Sequence, residues 1–179
     1  LYLHDIIYLL AIVMVLLLVF FRIVVVSGSS MKNTLVDGDY LLLISNVFYR
    51  NPEQGDIVVI SKDSFDDGAP IVKRVIATEG QYVDIDFENG IVYVDGTALE
   101  EVYINNPTNH NWGSKFPLVV QENCIFALGD NRAVSRDSRD PVIGQIDKRE
   151  ILGKALFLFL PGTDKAQSPR DYGRIGVIK

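Results

Sequence analysis

Three serines, Ser27, Ser29 and Ser30, crowd into VVVSGSSMKNTL, residues 24–35, directly after the most apolar stretch of the chain. A serine hydroxyl becomes a nucleophile only beside a base that removes its proton. The chain holds two histidines, His4 beside the apolar stretch and His110 in a polar loop, so a Ser-His-Asp triad has poor support. Neither histidine lies near a cysteine or an acidic pair at metal-ligand spacing, which argues equally against a zinc centre. Lysine is the remaining base. It serves only where burial strips water from its ammonium and lowers its pKa from about 10.4 toward neutrality.

One lysine suits that requirement. Lys73 lies inside PIVKRVIA, where strand alternation puts Ile71, Lys73 and Val75 on one face and Val72, Arg74 and Ile76 on the other. One of the two adjacent cations must then share a face with apolar neighbours, unless the strand is an edge with both tips in solvent. A second polar cluster, GDNRAVSRDSRD at 129–140, follows the apolar CIFAL. Taken alone, its composition is that of a solvated turn. Cys124, the single cysteine, allows no internal disulfide and reads as a buried structural thiol on a strand.

The elements that must position these groups are of two kinds. Residues 6–26 read IIYLLAIVMVLLLVFFRIVVV, twenty-one residues with one charge. That is about the ~20 residues that cross a hydrocarbon core of roughly 30 Å. The run exceeds the ~7–15 apolar residues of a cleavable signal peptide, and the LYLHD before it lacks the basic residues of such a leader. Arg22, near the end of the run, can snorkel to the interface. A transmembrane anchor over 1–26 is therefore expected. The 179 residues are 48% hydrophobic and carry a formal charge of −6, without a Lys/Arg run to grip phosphates, which argues against a nucleic-acid partner.

Beyond residue 35 the pattern changes to short runs rich in Val, Ile, Tyr and Phe, punctuated by Gly, Asp and Asn, which is the pattern of β-sheet. Strands are predicted at 40–44, 57–61, 71–78, 82–86, 91–94, 124–128 and 152–158. FENG at 87–90 turns the fourth into the fifth as a hairpin. Residues 100–116 read as a loop-rich insertion, 147–150 as one short helical turn, and the tail after Pro161 has loop composition.

SGSSM, IVKRVI and GDNRAVSRDSR, in that order and after a membrane helix, strongly resemble bacterial type I signal peptidase, in its short Gram-positive-like form. The resemblance spans about residues 1–163. It implies a mainly β catalytic domain at 27–163, of the fold shared with the self-cleaving LexA-like repressors, with a small β insertion at about 84–120. One N-terminal transmembrane helix precedes it and a tail at 164–179 follows. The implied activity is a membrane-anchored serine endopeptidase that removes signal peptides after small residues at positions −3 and −1. By matched positions, Ser30 is the nucleophile and Lys73 the neutral general base. Ser135 orients that lysine, and Asp137 and Arg139 brace the site. Arg74 and Asp130 form a supporting ion pair. Backbone N–H groups around Gly28 to Ser30 stabilise the oxyanion, and Val26, Met31, Leu35, Ile71 and Val72 wall the substrate. The implied partners are signal peptides of secreted preproteins and the lipid bilayer, for a single-pass monomer with its catalytic domain outside the cytoplasm. No cofactor or metal is implied.

Three positions depart from the family pattern. Asn33 stands where proline usually precedes Thr34, Gly28 where some members carry a hydroxyl donor to the oxyanion, and ATEGQ at 77–81 replaces a Pro-Gly-Asp turn while keeping Gly80. An inactive membrane-tethered β-module that binds an export partner is the alternative from a different class, and it would leave Ser30 and Lys73 apart. The repressors share the dyad but pair it with a DNA-binding domain, and the archaeal and reticulum signal peptidases have histidine where this chain has Lys73.

Overall fold

The computed structural model describes residues 2–163 and 169–178. The apolar run divides in two. Helix α1 spans Tyr2–Phe20, and β1 follows at once over Phe21–Val25. The expected helix to residue 26 is therefore shortened. Ile23-Val24-Val25 is β-branched, stiff at χ1 and better suited to a pleated sheet than the Leu-rich turns before it. Strand β1 pairs antiparallel with β2 (Tyr40–Ser45), Phe21 opposite Ile44 and Val25 opposite Tyr40. None of the α1 side chains is buried in protein, and among the described residues this is the one helix long and apolar enough to cross a membrane.

Ten further strands are β3 (Ile57–Ile60), β4 (Ile71–Thr78), β5 (Tyr82–Asp86), β6 (Ile91–Val94), β7 (Thr97–Ala98), β8 (Leu118–Val119), β9 (Cys124–Leu128), β10 (Ile146–Asp147), β11 (Ile151–Leu160) and β12 (Gly176–Val177). The main sheet runs β1-β2-β11-β3-β4-β9-β10, with β12 added to β11, and β7-β6-β5-β8 form a second sheet. Every pairing is antiparallel. The architecture is mainly β, with a helix entering one edge of the main sheet and the small insertion sheet continuing from β4 at the far side. The predicted 3₁₀ turn is present at Lys148–Glu150, closed by a capping box between Asp147 and Glu150. The tail is not all loop. Beyond 164–168, which lie outside the described residues, Arg174 pairs with the buried Asp39 and β12 docks on β11.

Packing places β4 inside the main sheet. It lies between β3 and β9, and the apolar β3 beside it is buried on both faces because the cores on the two sides of the sheet meet there. Lys73 to Ala77 of β4 are all buried. The strand that carries the two cations is thus interior, and neither cation has a solvent edge to escape to.

Candidate active site

Ser30 sits on the irregular segment between β1 and β2, which doubles back in tight turns. Lys32 N–H donates to Ser29 O, and Thr34 and Leu35 N–H both donate to Met31 O. Met31 and Leu35 anchor this segment by inserting into the core formed with Val26, Leu41, Leu43, Ile57 and Val59. Lys73, 3% exposed on β4, reaches Ser30 from the sheet, its Nζ 3.0 Å from Ser30 Oγ and 3.0 Å from the Val72 carbonyl oxygen. Burial lowers the Lys73 pKa from an ordinary 10.5 to about 8, against the pull of the Asp137 and Asp130 carboxylates and with a small push from the Arg139 charge. With a pKa of about 8, roughly a tenth of the amine is free at pH 7 and the share grows as pH rises, and in that form the Ser30 O–H donates to Nζ.

The segment 129–140 forms the wall behind the pair. Arg74 is the charged neighbour, its Nε and Nη2 on the Asp130 carboxylate at 2.9 and 2.8 Å and its Nη1 on the Gly55 carbonyl oxygen at 2.9 Å. Thr34 Oγ1 donates to the same carboxylate. Arg139 clamps Asp137 in the same two-pronged way at 2.8 and 2.9 Å and also donates to the carbonyls of Arg132, Ser135 and His110. Asp137 in turn accepts from Gly129 N–H at 3.0 Å. Both pairs are almost wholly out of water, where an ion persists only with its partner and further hydrogen bonds. Ser135 does not perform the expected bond. Its Oγ is buried with no hydrogen-bond partner among the described residues, and the contacts of Nζ are with Ser30 and the Val72 carbonyl. Gly129 lets this wall approach, since a Cβ there would overlap both the Ser135 side chain and Ser30 O.

A cavity of about 190 Å³ opens beside the pair, lined by Val24 to Ser27 and Ser30 on one side, Ala69 to Lys73 on the other, and Val59 beneath. Val26, Ile71 and Val72 line it as expected for a substrate wall. Met31 and Leu35 do not; at 1% exposure each they belong to the core under Ser30, a position set by tertiary packing that their apolarity alone could not specify. Gly28 is also differently employed. Its N–H donates to Asp37 Oδ1 at 2.8 Å, whereas the Ser30 N–H, like those of Ser29 and Met31, has no acceptor among the described hydrogen bonds.

A sequence model of the family described as signal peptidase, peptidase S26, matches residues 2–160. The chain belongs to the signal peptidase family. It is similar to the probable signal peptidase I-1 of Synechocystis sp., 38% identical over 146 residues covering 77% of this chain and 70% of that protein. Signal peptidase I of Bacillus amyloliquefaciens is 34% identical over 151 residues, 80% of this chain and 76% of that one. Signal peptidase IB of Staphylococcus aureus is 33% identical over 156 residues, 78% of each. Among solved structures, a signal peptidase I from Enterococcus faecalis V583 matches with a TM-score of 0.47 at 29% identity, over 58% of this chain and 96% of that one. The chain is accordingly a serine endopeptidase, a hydrolase of the signal peptidase I type.

The departures from the signal peptidase pattern acquire physical reasons. Asn33 has φ +81°, a left-handed conformation that Asn tolerates and that a proline ring, fixed near −65°, cannot take. Gly28 has φ +88° with open space where a side chain would be, so the backbone rather than crowding asks for glycine. Gly80, at φ +81°, makes the turn from β4 to β5. An inactive module would hold Ser30 and Lys73 apart, which the 3.0 Å contact contradicts. Sequence reasoning missed Thr34, Tyr103, Glu101, Arg132 and Asn131. Tyr103 lies over the Arg74 guanidinium at 4.0 Å, and Glu101 and Thr108 hold Arg132. Asn131 and Arg132 were visible in GDNR, but their partners lie on segments far away in the chain.

Proposed function

We propose that Ser30 and Lys73 are the catalytic dyad with which this chain removes signal peptides from exported preproteins. The observation that carries the reading is a buried lysine, its pKa lowered to about 8, with Nζ 3.0 Å from a serine hydroxyl in a cavity that both side chains line. Ser30 Oγ attacks the scissile carbonyl carbon while the neutral Lys73 amine takes the hydroxyl proton. The oxyanion forms beside the Ser30 N–H. The Lys73 ammonium then protonates the leaving amine, and the resulting acyl-enzyme is hydrolysed by a water that Lys73 deprotonates in turn. Ser135, buried beside this pair, acts on the lysine when substrate draws Ser30 Oγ away. Arg74 with Asp130, and Arg139 with Asp137, keep the wall in place and their own charges neutralised.

The cavity between the segment at Val24–Ser27 and the start of β4 accepts an extended peptide whose alternate side chains face the same wall. Its size favours small residues at positions −1 and −3. Helix α1 holds the site at the membrane surface where such a bond emerges, with the catalytic part on the extracytoplasmic face, and both dyad members come from one chain, so a monomer suffices. The test is cleavage of a preprotein with an Ala-x-Ala site by the detergent-solubilised parent, Ser30→Ala and Lys73→Ala, each shown to be folded. The parent cuts after the small residue and both variants are silent. Equal inertness of all three across a range of such sites would overturn the reading.

A further inference from the structure

Two peptide groups flank the nucleophile, and one residue outside the dyad holds both. The Asn131 backbone N–H donates to Ser30 O at 2.9 Å, and its side-chain Nδ2 donates to Ser29 O at 3.0 Å. The side chain is almost wholly buried, and a carbonyl can only accept, so the amide must present Nδ2 rather than Oδ1 to Ser29. Its Oδ1 faces the other way, toward Asn105 Nδ2 at 3.4 Å. Asn105 belongs to the loop between β7 and β8, and its own N–H donates to Asp130 O at 2.9 Å.

A peptide group is planar and trans, so its C=O and N–H point in opposite directions from one rigid plate. The carbonyl of Ser29 and the N–H of Ser30 share such a plate. Gripping Ser29 O, which also accepts from the Lys32 N–H at 3.1 Å, therefore fixes the direction of the Ser30 N–H, which donates to nothing else among the described hydrogen bonds. We infer that Asn131 is a positioning residue. Through its side-chain amide it aims the Ser30 N–H at the oxyanion, and the loop between β7 and β8 holds that amide in register through Asn105. The inference rests on Ser30 being the nucleophile. It adds a reason for the asparagine in GDNR and a role for the insertion in catalysis, exerted without touching substrate.

The backbone bonds of Asn131, to Ser30 O and from the N–H groups of Val134 and Ser135, survive a change of side chain. Asn131→Asp is nearly isosteric but replaces the donor by an acceptor that repels Ser29 O. Asn131→Ala removes the donor without adding charge. With a signal-peptide substrate, both variants are expected to lose kcat by on the order of tenfold to a hundredfold, less than the 10²–10³ lost with a whole oxyanion donor, while KM stays within about twofold. The pH–rate midpoint of Asn131→Ala stays at the parent's, because the lysine is untouched, and its folded fraction at the assay temperature stays full. Asn105→Ala shows the same split with a smaller loss. An unchanged kcat in both Asn131 variants, a loss confined to KM, or a loss that tracks the unfolded fraction would each overturn the inference. An inactive parent, or a Ser30→Ala variant that still cleaves, would instead remove the dyad assignment beneath it, and is recognised before any change at Asn131 is made.

Discussion

On the proposed assignment, Lys73 concentrates the chemistry and the energetic conflict of this protein in one side chain. Its pKa of about 8 lies below the ordinary 10.5, so the free amine accumulates as pH rises and cleavage should climb through pH ~8 and level off above it. A rate flat from pH 5 to 10 would sink the assignment. The same shift has a sign in stability. Between pH 8 and 10.5 the unfolded chain binds more protons at this position than the folded one, so folding gains with pH across that window. Below it the folded state carries the full penalty, on the order of 3 kcal/mol. Lys73→Met, close in shape and without charge, should abolish cleavage yet raise the thermal midpoint at pH 7, the advantage shrinking toward pH 10.5. The measurement is a melting curve at each pH. This residue was legible in the sequence, because a lysine amid alternating β-branched neighbours leaves few places for its charge. The silence of Ser135 toward it was not, since one hydrogen-bond direction depends on angles that no spacing encodes.

At the scale of elements, β4 and the turn around Ser30 do different work. β4 is held by β3 and β9 on either side and keeps its two cations buried, whereas the Ser30 segment is irregular and kept by turns, by Met31 and Leu35, and by Asn131. Asn33 belongs to those turns. Restoring the usual proline there, Asn33→Pro, should destabilise rather than stiffen, by more than ~1 kcal/mol, because the backbone is at φ +81°. Denaturant unfolding would show a lower midpoint with unchanged m-value, and a stabilised variant would refute the point. All seven predicted strands formed within a few residues of expectation, because β2, β5 and β6 bury one face and alternate while β3 and β9 are buried as continuous apolar runs. β1 was hidden inside the apolar run, whose hydropathy is the same for lipid and for sheet; only its β-branched content and the availability of β2 as partner distinguish the two.

The whole molecule is two sheets joined by a strap. The loop between β7 and β8 crosses the segment 129–140, where Glu101 and Thr108 hold the buried Arg132, Tyr103 covers Arg74, and the His110 carbonyl receives Arg139. Glu101→Ala would leave a fully buried guanidinium without its anion, a change that costs about 3–5 kcal/mol. The single Trp112 lies in this loop beside Arg136, so its fluorescence reports the strap while far-UV circular dichroism reports the sheets. The parent should unfold with coincident transitions by both probes, and Glu101→Ala with a lower midpoint and an earlier tryptophan transition. Coincident, unshifted curves would show that the strap does not couple the sheets.

The order of motifs, the lipid-length apolar run and the alternation of the strands were determined by the sequence itself, because local pattern and residue chemistry act over a few positions at a time. Tertiary structure alone decided where the helix yields to β1, that Met31 and Leu35 support rather than line the cavity, that Gly28 N–H serves Asp37, and that an asparagine and a distant loop hold the peptide groups flanking Ser30. Each of these depends on which carbonyls, carboxylates and apolar surfaces meet after segments far apart in the chain have folded together, and a buried polar group must take whatever partner that meeting supplies.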